Sequence, residues 1–382
     1  MTDPWTPFRL RGGRTLPNRF LLAPMTTDAS DPDGMVSAGE RAFVRRRSLS
    51  GFGGLISSCA YVHEDGRSWN GIGAAKPGHL PSLESLAGDL RAGGGLAILQ
   101  IYDGGRIARP ALIGDGRMRA PSAVASLRPG ALTPREMTGA EVDDLVGCFG
   151  AAAERARQAG FDGVELHGAN HYLLHQFFSP RANRRLDRWG GDRDARMRFP
   201  LAVVQAAREA LGPGMVLGYR ITPFEPEPDG YRLDDALALV DRLAGLGLDY
   251  IHVSLDDFRL QQPQREDRNY LVPTAPTGSD GRSPLAEIRA VIAGRCAVVA
   301  CGGVGTLADA QAAMAAGGDL VAAGRAPLID PDWLRKLADG RETDIALRFP
   351  HAPEDIAARC AIPPRMVDYL LSRPGWIKRE DA

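Results

Sequence analysis

Short apolar runs recur along the chain, and each is followed by a polar loop and then by a helical pattern. Apolar residues continue through each run without alternation, which is typical of parallel strands covered on both faces. The runs lie at 20–23, 54–59, 96–101, 161–167, 215–221, 249–253, 296–301 and 318–323. Strand and helix alternating eight times predicts the α/β class and, within it, a (β/α)8 TIM barrel.

Helical patterns fill the intervals between the runs. The clearest covers 138–160, where Thr138 is suited to an N-cap, Glu141 completes a capping box and Gly160 ends the helix. Segments 233–247 and 306–317 are two more. A doubly wound open sheet is the alternative, but no G-x-G-x-x-G follows the first run, which disfavours it.

Four longer segments rich in Pro, Gly, Arg and Asp each follow a strand. They cover 103–137, 168–193, 222–232 and 254–282. In a barrel, loops that follow strands lie at the C-terminal face, where barrel enzymes place their chemistry. The sequence has no linker, so we expect one domain over 1–382 with extended loops at that face.

Composition narrows the class of protein. The net charge of −1 gives no reason to expect a nucleic-acid partner, and no run of about 20 apolar residues predicts a membrane span. The five cysteines include no C-x-x-C pair, so we expect no metal or iron–sulfur site. Their odd number and wide spacing favour a reducing compartment, and we predict a cytoplasmic protein.

Polar residues follow the fourth strand within "VELHGANHYLL" (164–174). If the chain turns helically there, His167 and Asn170 face the same way and present two donors to one point. A carbonyl oxygen at that point would be polarised, and the phenol of Tyr172 could supply a proton. The alternative is that all three are ordinary satisfied loop side chains or helix caps.

Other strand ends carry residues suited to a planar, hydrogen-bonding ligand. Gln100 ends the third strand with an amide. Arg220 is a cation within an apolar run, and a buried cation needs a negative partner. Thr26 follows the first strand, and the small Cys59 ends the second, where a flat ring could approach.

The last two strands end in residues suited to an anion. These are Gly302 and Gly303 in "CGGVG", and Gly324 and Arg325 in "AAGRAP". Loops after strands 7 and 8 are the usual phosphate site of a TIM barrel. Together the strand ends specify a phosphorylated planar ring with hydrogen-bonding edges.

These motifs resemble the old yellow enzyme family of FMN-dependent ene-reductases. The likeness runs nearly end to end, through "LPNRFLLAPMT", "GFGGLISSCAYVHEDGR", "LQIYDGGR", "FDGVELHGANHYLLHQFFSPRANRRLDRWGG", "VVACGGV" and "LVAAGRAPL". The fourth block is highly specific. The resemblance implies an NAD(P)H-dependent FMN oxidoreductase, in which NADPH or NADH passes hydride to FMN. The flavin would then pass hydride to the β-carbon of an electron-poor alkene such as an α,β-unsaturated carbonyl compound.

The resemblance also implies roles for individual residues. Those matching flavin-binding positions are Pro24, Met25, Thr26, Cys59, Gln100 and Arg220, with Gly302, Gly303, Gly324 and Arg325 at the phosphate. His167 and Asn170 would bind the oxygen of the substrate, and Tyr172 would protonate its α-carbon. The resemblance leaves a homo-oligomer open, because in some relatives the C-terminal tail, here containing Trp376, reaches a neighbouring subunit.

Three positions depart from the family pattern or need a separate explanation. Asp103 stands where the family commonly has histidine, and His171 stands where glycine is more common. We expect Asp103 to bind a backbone amide and hold its loop, and we expect Cys59 to have a packing role. Asp103 and His171 also motivate an alternative, a specialised flavin-dependent desaturation or rearrangement in biosynthesis. A non-redox phosphate-binding lyase or isomerase and a redox-silent flavin-binding protein are further alternatives.

Overall fold

Eight parallel strands form a closed barrel in the computed structural model, which describes residues 3–259, 282–373 and 375–380. The strands are β1 (Phe20–Leu22), β2 (Gly54–Ile56), β3 (Leu96–Tyr102), β4 (Gly163–Gly168), β5 (Val216–Ile221), β6 (Tyr250–Ser254), β7 (Ala297–Cys301) and β8 (Leu320–Ala323). Each strand pairs with the next in sequence, and β8 pairs with β1. The predicted (β/α)8 barrel is therefore confirmed over the open sheet.

Helices surround the barrel. They are α1 (Ala38–Ser48), α2 (Leu80–Arg91), α3 (Gly139–Gln158), α4 (Arg193–Leu211), α5 (Leu233–Ala244), α6 (Pro284–Ile292), α7 (Leu307–Ala315) and α8 (Trp333–Ala338). Shorter helices span Pro110–Ile113, Leu173–Phe178, Arg325–Ile329, Pro353–Arg359 and Pro364–Leu371. No helix in the described ranges has both the length and the apolar character needed to cross a membrane.

The start of α3 follows the prediction from sequence. Thr138 Oγ1 accepts a hydrogen bond from the Glu141 backbone N–H at 3.2 Å, and the Glu141 carboxylate accepts one from Thr138 N at 2.8 Å. This capping box satisfies two backbone donors that no helical carbonyl can reach, an arrangement that contributes about 1 kcal/mol. Gly160, with φ +79°, follows the helix and turns the chain toward β4.

Strand β2 is shorter than predicted. It ends at Ile56, and Ala60–Tyr61 form a separate pairing with the end of β3. The reason is Ser57, whose hydroxyl accepts the Gln100 backbone N–H at 3.1 Å and donates to the Ser58 carbonyl. A side chain thus takes the place of a backbone acceptor in the ladder, and Cys59 lies beyond the strand instead of at its end.

The barrel interior changes from apolar to polar along its axis. The N-terminal half is filled by side chains that alternate inward along the strands: Leu21, Ile56, Ile98, Val216, Tyr250, Val299 and Leu320. Leu10 and Leu16, from the antiparallel pair Phe8–Arg9 and Thr15–Leu16, join this cluster. Gln100 and His252 lie two residues beyond Ile98 on β3 and Tyr250 on β6, and Glu165 on β4 pairs with Gln100. All three are buried. Polar chemistry is therefore concentrated toward the C-terminal face.

The short helix Leu173–Phe178 connects that face to the outer scaffold. All six of its residues are buried. Phe177 stacks on Phe199 of α4 with ring centroids 3.9 Å apart, so the helix that follows Tyr172 is anchored by apolar packing. Of the segment 254–282, only 254–259 and 282 fall within the described residues.

The C-terminal segment packs on its own chain. Trp376 lies against the main core, and Phe349 and the Lys378–Glu380 stretch exchange two backbone hydrogen bonds. Whether the tail also reaches a second subunit stays a prediction.

Candidate active site

The loop after β4 turns in the left-handed region, not as the helical turn expected from the sequence. Asn170 has φ +56° and His171 has φ +63°. Asn170 tolerates this conformation better than most residues, because its short polar side chain can bond locally. The Asn170 N–H donates to Thr222 Oγ1 at 3.1 Å, which fixes the loop against the end of β5.

His167 is buried at the end of β4 and is suited to donate one hydrogen bond. Burial, reinforced by the charge of Arg220, lowers the pKa of His167 well below its usual value, so the imidazole is neutral at pH 7. Its Nδ1 accepts from the Ala169 N–H at 3.4 Å. The hydrogen is therefore assigned to Nε2, which is left to donate.

Asn170 is oriented by a relay from β5. Arg220 Nη2 donates to Ser254 Oγ at 3.1 Å, and the Ser254 hydroxyl donates to Asn170 Oδ1 at 3.4 Å. With Oδ1 engaged, the Asn170 amide nitrogen is left to donate. His167 and Asn170 thus each have a donor free at the end of their strand or loop, and their joint role in binding a substrate oxygen stays a prediction. The route through Ser254 is not visible in the sequence.

Tyr172 is buried beside His167, with ring centroids 4.5 Å apart. Burial raises the pKa of Tyr172 well above its usual value, so it remains a protonated phenol. Trp69 Nε1 donates to Tyr172 Oη at 2.7 Å, and Tyr102 meets the Tyr172 ring edge-on at 4.9 Å. The structure therefore brings a phenolic proton together with the two predicted donors.

Gln100 belongs to a hydrogen-bonded chain inside the barrel that sequence reasoning missed. Its Nε2 donates to Glu165 Oε1 at 2.7 Å, and His252 Nδ1 lies 2.9 Å from Glu165 Oε2. Burial opposes both charges, but their mutual attraction holds the pKa of Glu165 below, and that of His252 above, its usual value. The signal was present, because Glu165 and His252 each interrupt an apolar strand.

Arg220 is the residue that best tests whether the site fits FMN. Its Nη1 approaches the Pro24 carbonyl oxygen at 3.5 Å, and its Nε is buried without a hydrogen-bond partner among the described residues. A buried N–H without an acceptor destabilises the protein unless a bound molecule supplies one. A cation with a spare N–H fits the electron-rich pyrimidine edge of a flavin, so the arrangement agrees with the predicted role.

Residues predicted to line the ring lie between the first and last strands. Pro24, Met25 and Thr26 follow β1 and are half-buried. Gly324 faces them, since a Cβ added there would lie 3.6 Å from Met25 Sδ. The absence of a side chain at Gly324 therefore keeps the backbone close to the predicted ring site.

The predicted phosphate site lies after β7 and β8. Gly302 has φ +112° and Gly303 has φ +70°, and a Cβ at Gly302 would lie only 2.4 Å from the Leu255 carbonyl oxygen. Glycine is therefore required for conformation and for space. Arg325 Nη2 donates to the Asp256 carbonyl at 3.0 Å, which holds its guanidinium beside this turn.

Structure explains two of the unusual positions. Asp103 Oδ1 accepts the Gly105 N–H at 2.8 Å, as predicted for a loop-holding acid, and Oδ2 lies 3.6 Å from Arg119 Nη2. Cys59 is buried among aromatic residues, and burial raises its thiol pKa to about 12, with a smaller opposing effect from Tyr172. A thiol held neutral in this way agrees with a packing role.

His171 packs over a buried pair formed by His175 and Glu225. The two imidazole rings are 4.7 Å apart, and the ligand atoms of the three residues lie within 4.8 Å of one another. Glu225 Oε1 already accepts from His175 Nε2 at 2.9 Å, and Oε2 from Ser179 Oγ at 2.7 Å. His175, Glu225 and Ser179 therefore form a hydrogen-bonded support under the 170–179 segment, and the expectation of no metal stays a prediction.

Comparison with known proteins agrees with this geometry. The model of the NADH:flavin oxidoreductase / NADH oxidase family matches residues 5–344. A probable NADH-dependent flavin oxidoreductase of Bacillus subtilis (strain 168) is 35% identical over 380 residues, covering 98% of this chain and 97% of its own. The solved structure of morphinone reductase superposes with a TM-score of 0.75 at 27% identity, over 94% of this chain and 96% of that chain.

An NADH:fumarate oxidoreductase of Klebsiella pneumoniae (strain 342) is 40% identical over 348 residues. These cover 89% of this chain but 36% of that protein, so the chain spans about a third of this relative. The family match, by contrast, extends from before β1 to beyond α8 and includes every residue of the candidate site. The chain therefore belongs to the NADH:flavin oxidoreductase / NADH oxidase family, the family of old yellow enzyme.

Proposed function

We propose that this protein is an FMN-dependent oxidoreductase that takes hydride from NADH or NADPH and reduces the activated C=C bond of an α,β-unsaturated carbonyl compound or a similar electron-poor alkene. The observation that carries the proposal is the grouping of His167, Asn170 and Tyr172 at the C-terminal face. His167 and Tyr172 are 4.5 Å apart as ring centroids, and His167 is neutral.

The protein's own groups divide the work. His167 Nε2 and the Asn170 amide would donate to the carbonyl oxygen of the substrate, drawing electrons toward it and making the β-carbon electrophilic. Bound FMN supplies the hydride relay between reduced nicotinamide and that β-carbon. Tyr172 would give its proton to the α-carbon and recover one from solvent. The balance is one hydride and one proton added across the C=C bond, with NADH or NADPH oxidised.

Residues at the ends of the strands and in the turns that follow them would hold the cofactor. Arg220 would bind the pyrimidine edge through its spare Nε–H, and Gln100 would bond the same edge. The backbone of Gly302 and Gly303, with Arg325, would bind the phosphate. These assignments rest on the buried, unpartnered Nε of Arg220 and on the positive φ angles of the glycines.

A second candidate is a flavoprotein that oxidises NADH and passes electrons to another acceptor. This second candidate is favoured by the NADH:fumarate oxidoreductase, because the match covers only 36% of that protein. Alkene reduction in that relative can reside in the part that this chain does not match. The specialised biosynthetic step has less support, since Asp103 holds a loop and His171 packs on His175. A redox-silent binder and a non-redox lyase or isomerase fit poorly with the family.

An anaerobic absorption experiment separates these candidates. Purified protein reconstituted with FMN would be titrated with NADH or NADPH, then mixed with 2-cyclohexenone or with ferricyanide. We expect the flavin bands to bleach and the enone to restore them. Restoration by ferricyanide alone would favour the second candidate. Bands that never bleach would favour a redox-silent binder, and no FMN binding would overturn the proposal.

A further inference from the structure

Trp69 makes the shortest polar contact to the proposed acid. It lies in the loop after β2 and is buried, and its Nε1–H donates to Tyr172 Oη at 2.7 Å. The indole has a single polar group, and that group can only donate. Tyr172 therefore serves as the acceptor in this hydrogen bond, and its own hydrogen must point elsewhere.

This contact has two consequences for a phenol that gives up a proton. Accepting from Trp69 occupies one side of Oη and directs the O–H away from the indole. A donor on Oη also strengthens as negative charge develops there, because hydrogen bonds to ionised groups are roughly twice as strong as neutral ones. We propose that Trp69 is a positioning residue for proton transfer from Tyr172, aiming the phenolic hydrogen and stabilising the oxygen that remains.

Two guanidinium groups lie close to the indole ring of Trp69. The Arg109 guanidinium carbon lies 4.2 Å from the centroid of the Trp69 ring and that of Arg373 lies 5.4 Å away. Tyr369 meets the ring edge-on at 5.2 Å. A cation near an aromatic face draws on its electron density, which makes the indole N–H a stronger donor. Arg109 is itself held by Asp28, at 3.5 Å.

The residues around the indole join distant parts of the chain to the proposed acid. Tyr369 belongs to the helix Pro364–Leu371, and Arg373 follows that helix. Trp69 comes from the loop after β2, and Tyr172 from the loop after β4. The C-terminal helix therefore fixes the indole that in turn orients Tyr172, a relationship that no local motif reveals.

The inference rests on the proposed function, and a double-mutant cycle tests it. Trp69→Phe keeps an aromatic ring and removes the N–H. In anaerobic stopped-flow measurements we expect flavin reduction by NADH to be unchanged and reoxidation by 2-cyclohexenone to slow about three- to tenfold, the range for one hydrogen bond. The solvent isotope effect on reoxidation should rise. In a Tyr172→Phe background, Trp69→Phe should have no further effect.

Trp189→Phe is the matched control. The Nε1 of Trp189 is buried and has no hydrogen-bond partner within the described residues, so its removal should leave both half-reactions unchanged. If Trp69→Phe fails to bind FMN, Arg373→Met tests the same contact indirectly, by removing a cation that strengthens the indole N–H as a donor. We expect it to slow reoxidation about twofold and to leave flavin reduction unchanged.

The outcomes separate the two proposals. Normal reoxidation in Trp69→Phe overturns the positioning role and leaves the proposed function intact. If Trp69→Phe slows reoxidation by the same factor in the Tyr172→Phe background as in the original protein, Trp69 acts by packing alone. That result also overturns the positioning role. If Tyr172→Phe itself reoxidises normally, both the acid assignment and the role of Trp69 are wrong.

Discussion

Gln100 and Glu165 face each other across adjacent strands of the barrel, joined by a hydrogen bond of 2.7 Å from Gln100 Nε2 to Glu165 Oε1. A carboxylate can only accept, so it fixes which end of the amide points toward it. This contact leaves Gln100 Oε1 as the end of the amide that can accept from a cofactor N–H.

Glu165→Gln is expected to weaken FMN binding. A glutamine at 165 can donate as well as accept, so the Gln100 amide loses its fixed orientation, and His252 loses its ion pair. Loss of one oriented hydrogen bond predicts about a tenfold higher dissociation constant, measured by quenching of flavin fluorescence. Circular dichroism would verify folding. An unchanged dissociation constant and flavin spectrum would show that the Gln100 orientation is set by other contacts.

Tyr172→Phe is expected to separate the two half-reactions. NADH-dependent bleaching should be unchanged, because hydride transfer to the flavin does not need the phenol. Reduction of 2-cyclohexenone should fall about 100-fold or more, the lower end of general-acid contributions. Tyr219→Phe is the control, since Tyr219 is a buried phenol that makes no hydrogen bond in the described part of the chain. Equal losses in both half-reactions would argue against the acid role.

Arg220→Met and Arg325→Met should differ in their relative affinities for FMN and riboflavin. Hydrogen bonds to charged groups contribute about 1.5–3 kcal/mol, so each substitution should raise the FMN dissociation constant by about tenfold or more. Arg220→Met should weaken riboflavin equally, because the proposed contact is to the ring. Arg325→Met should leave riboflavin affinity unchanged, because riboflavin lacks the phosphate. The opposite pattern would exchange the two assignments.

Much of the fold was predictable because its determinants are local in the sequence. Uninterrupted apolar runs mark parallel strands, and the capping box at Thr138 and Glu141 marks the start of α3. The break at Ser57 was not predictable, since a hydroxyl that replaces a backbone acceptor has no compositional signature. The left-handed turn at Asn170 and His171 escaped for a similar reason, as neither residue requires positive φ.

The candidate site also contains residues that the sequence could predict and residues that it could not. His167, Asn170, Tyr172 and Arg220 stand out as polar residues at the ends of apolar runs. Trp69 and Ser254 could not be assigned, because their roles depend on partners far away in the sequence. Trp69 is 103 positions from Tyr172, and Ser254 is 84 positions from Asn170. Barrel closure creates those contacts, and their partners are known only once the loops are placed.

The pair formed by His175 and Glu225 predicts a pH dependence of stability. Burial alone would raise the pKa of Glu225, but hydrogen bonds and charge from His175, with help from Ser179, lower it to about 2. A carboxyl whose pKa is lower in the folded than in the unfolded protein stabilises the fold above the unfolded pKa of about 4.3. That contribution, on the order of 3 kcal/mol, is lost as the pH falls from about 4.5 toward 2.

Urea unfolding at pH 7, 5 and 3.5 would measure this effect. We expect Glu225→Gln to be less stable than the original protein at pH 7 and the difference between them to narrow as the pH falls below 4.5. Glu209→Gln, on the exposed side of α4, is the control and should leave the pH dependence unchanged. A difference that stays constant from pH 7 to 3.5 would mean that Glu225 stabilises the 170–179 segment through packing and neutral hydrogen bonds instead of through its charge.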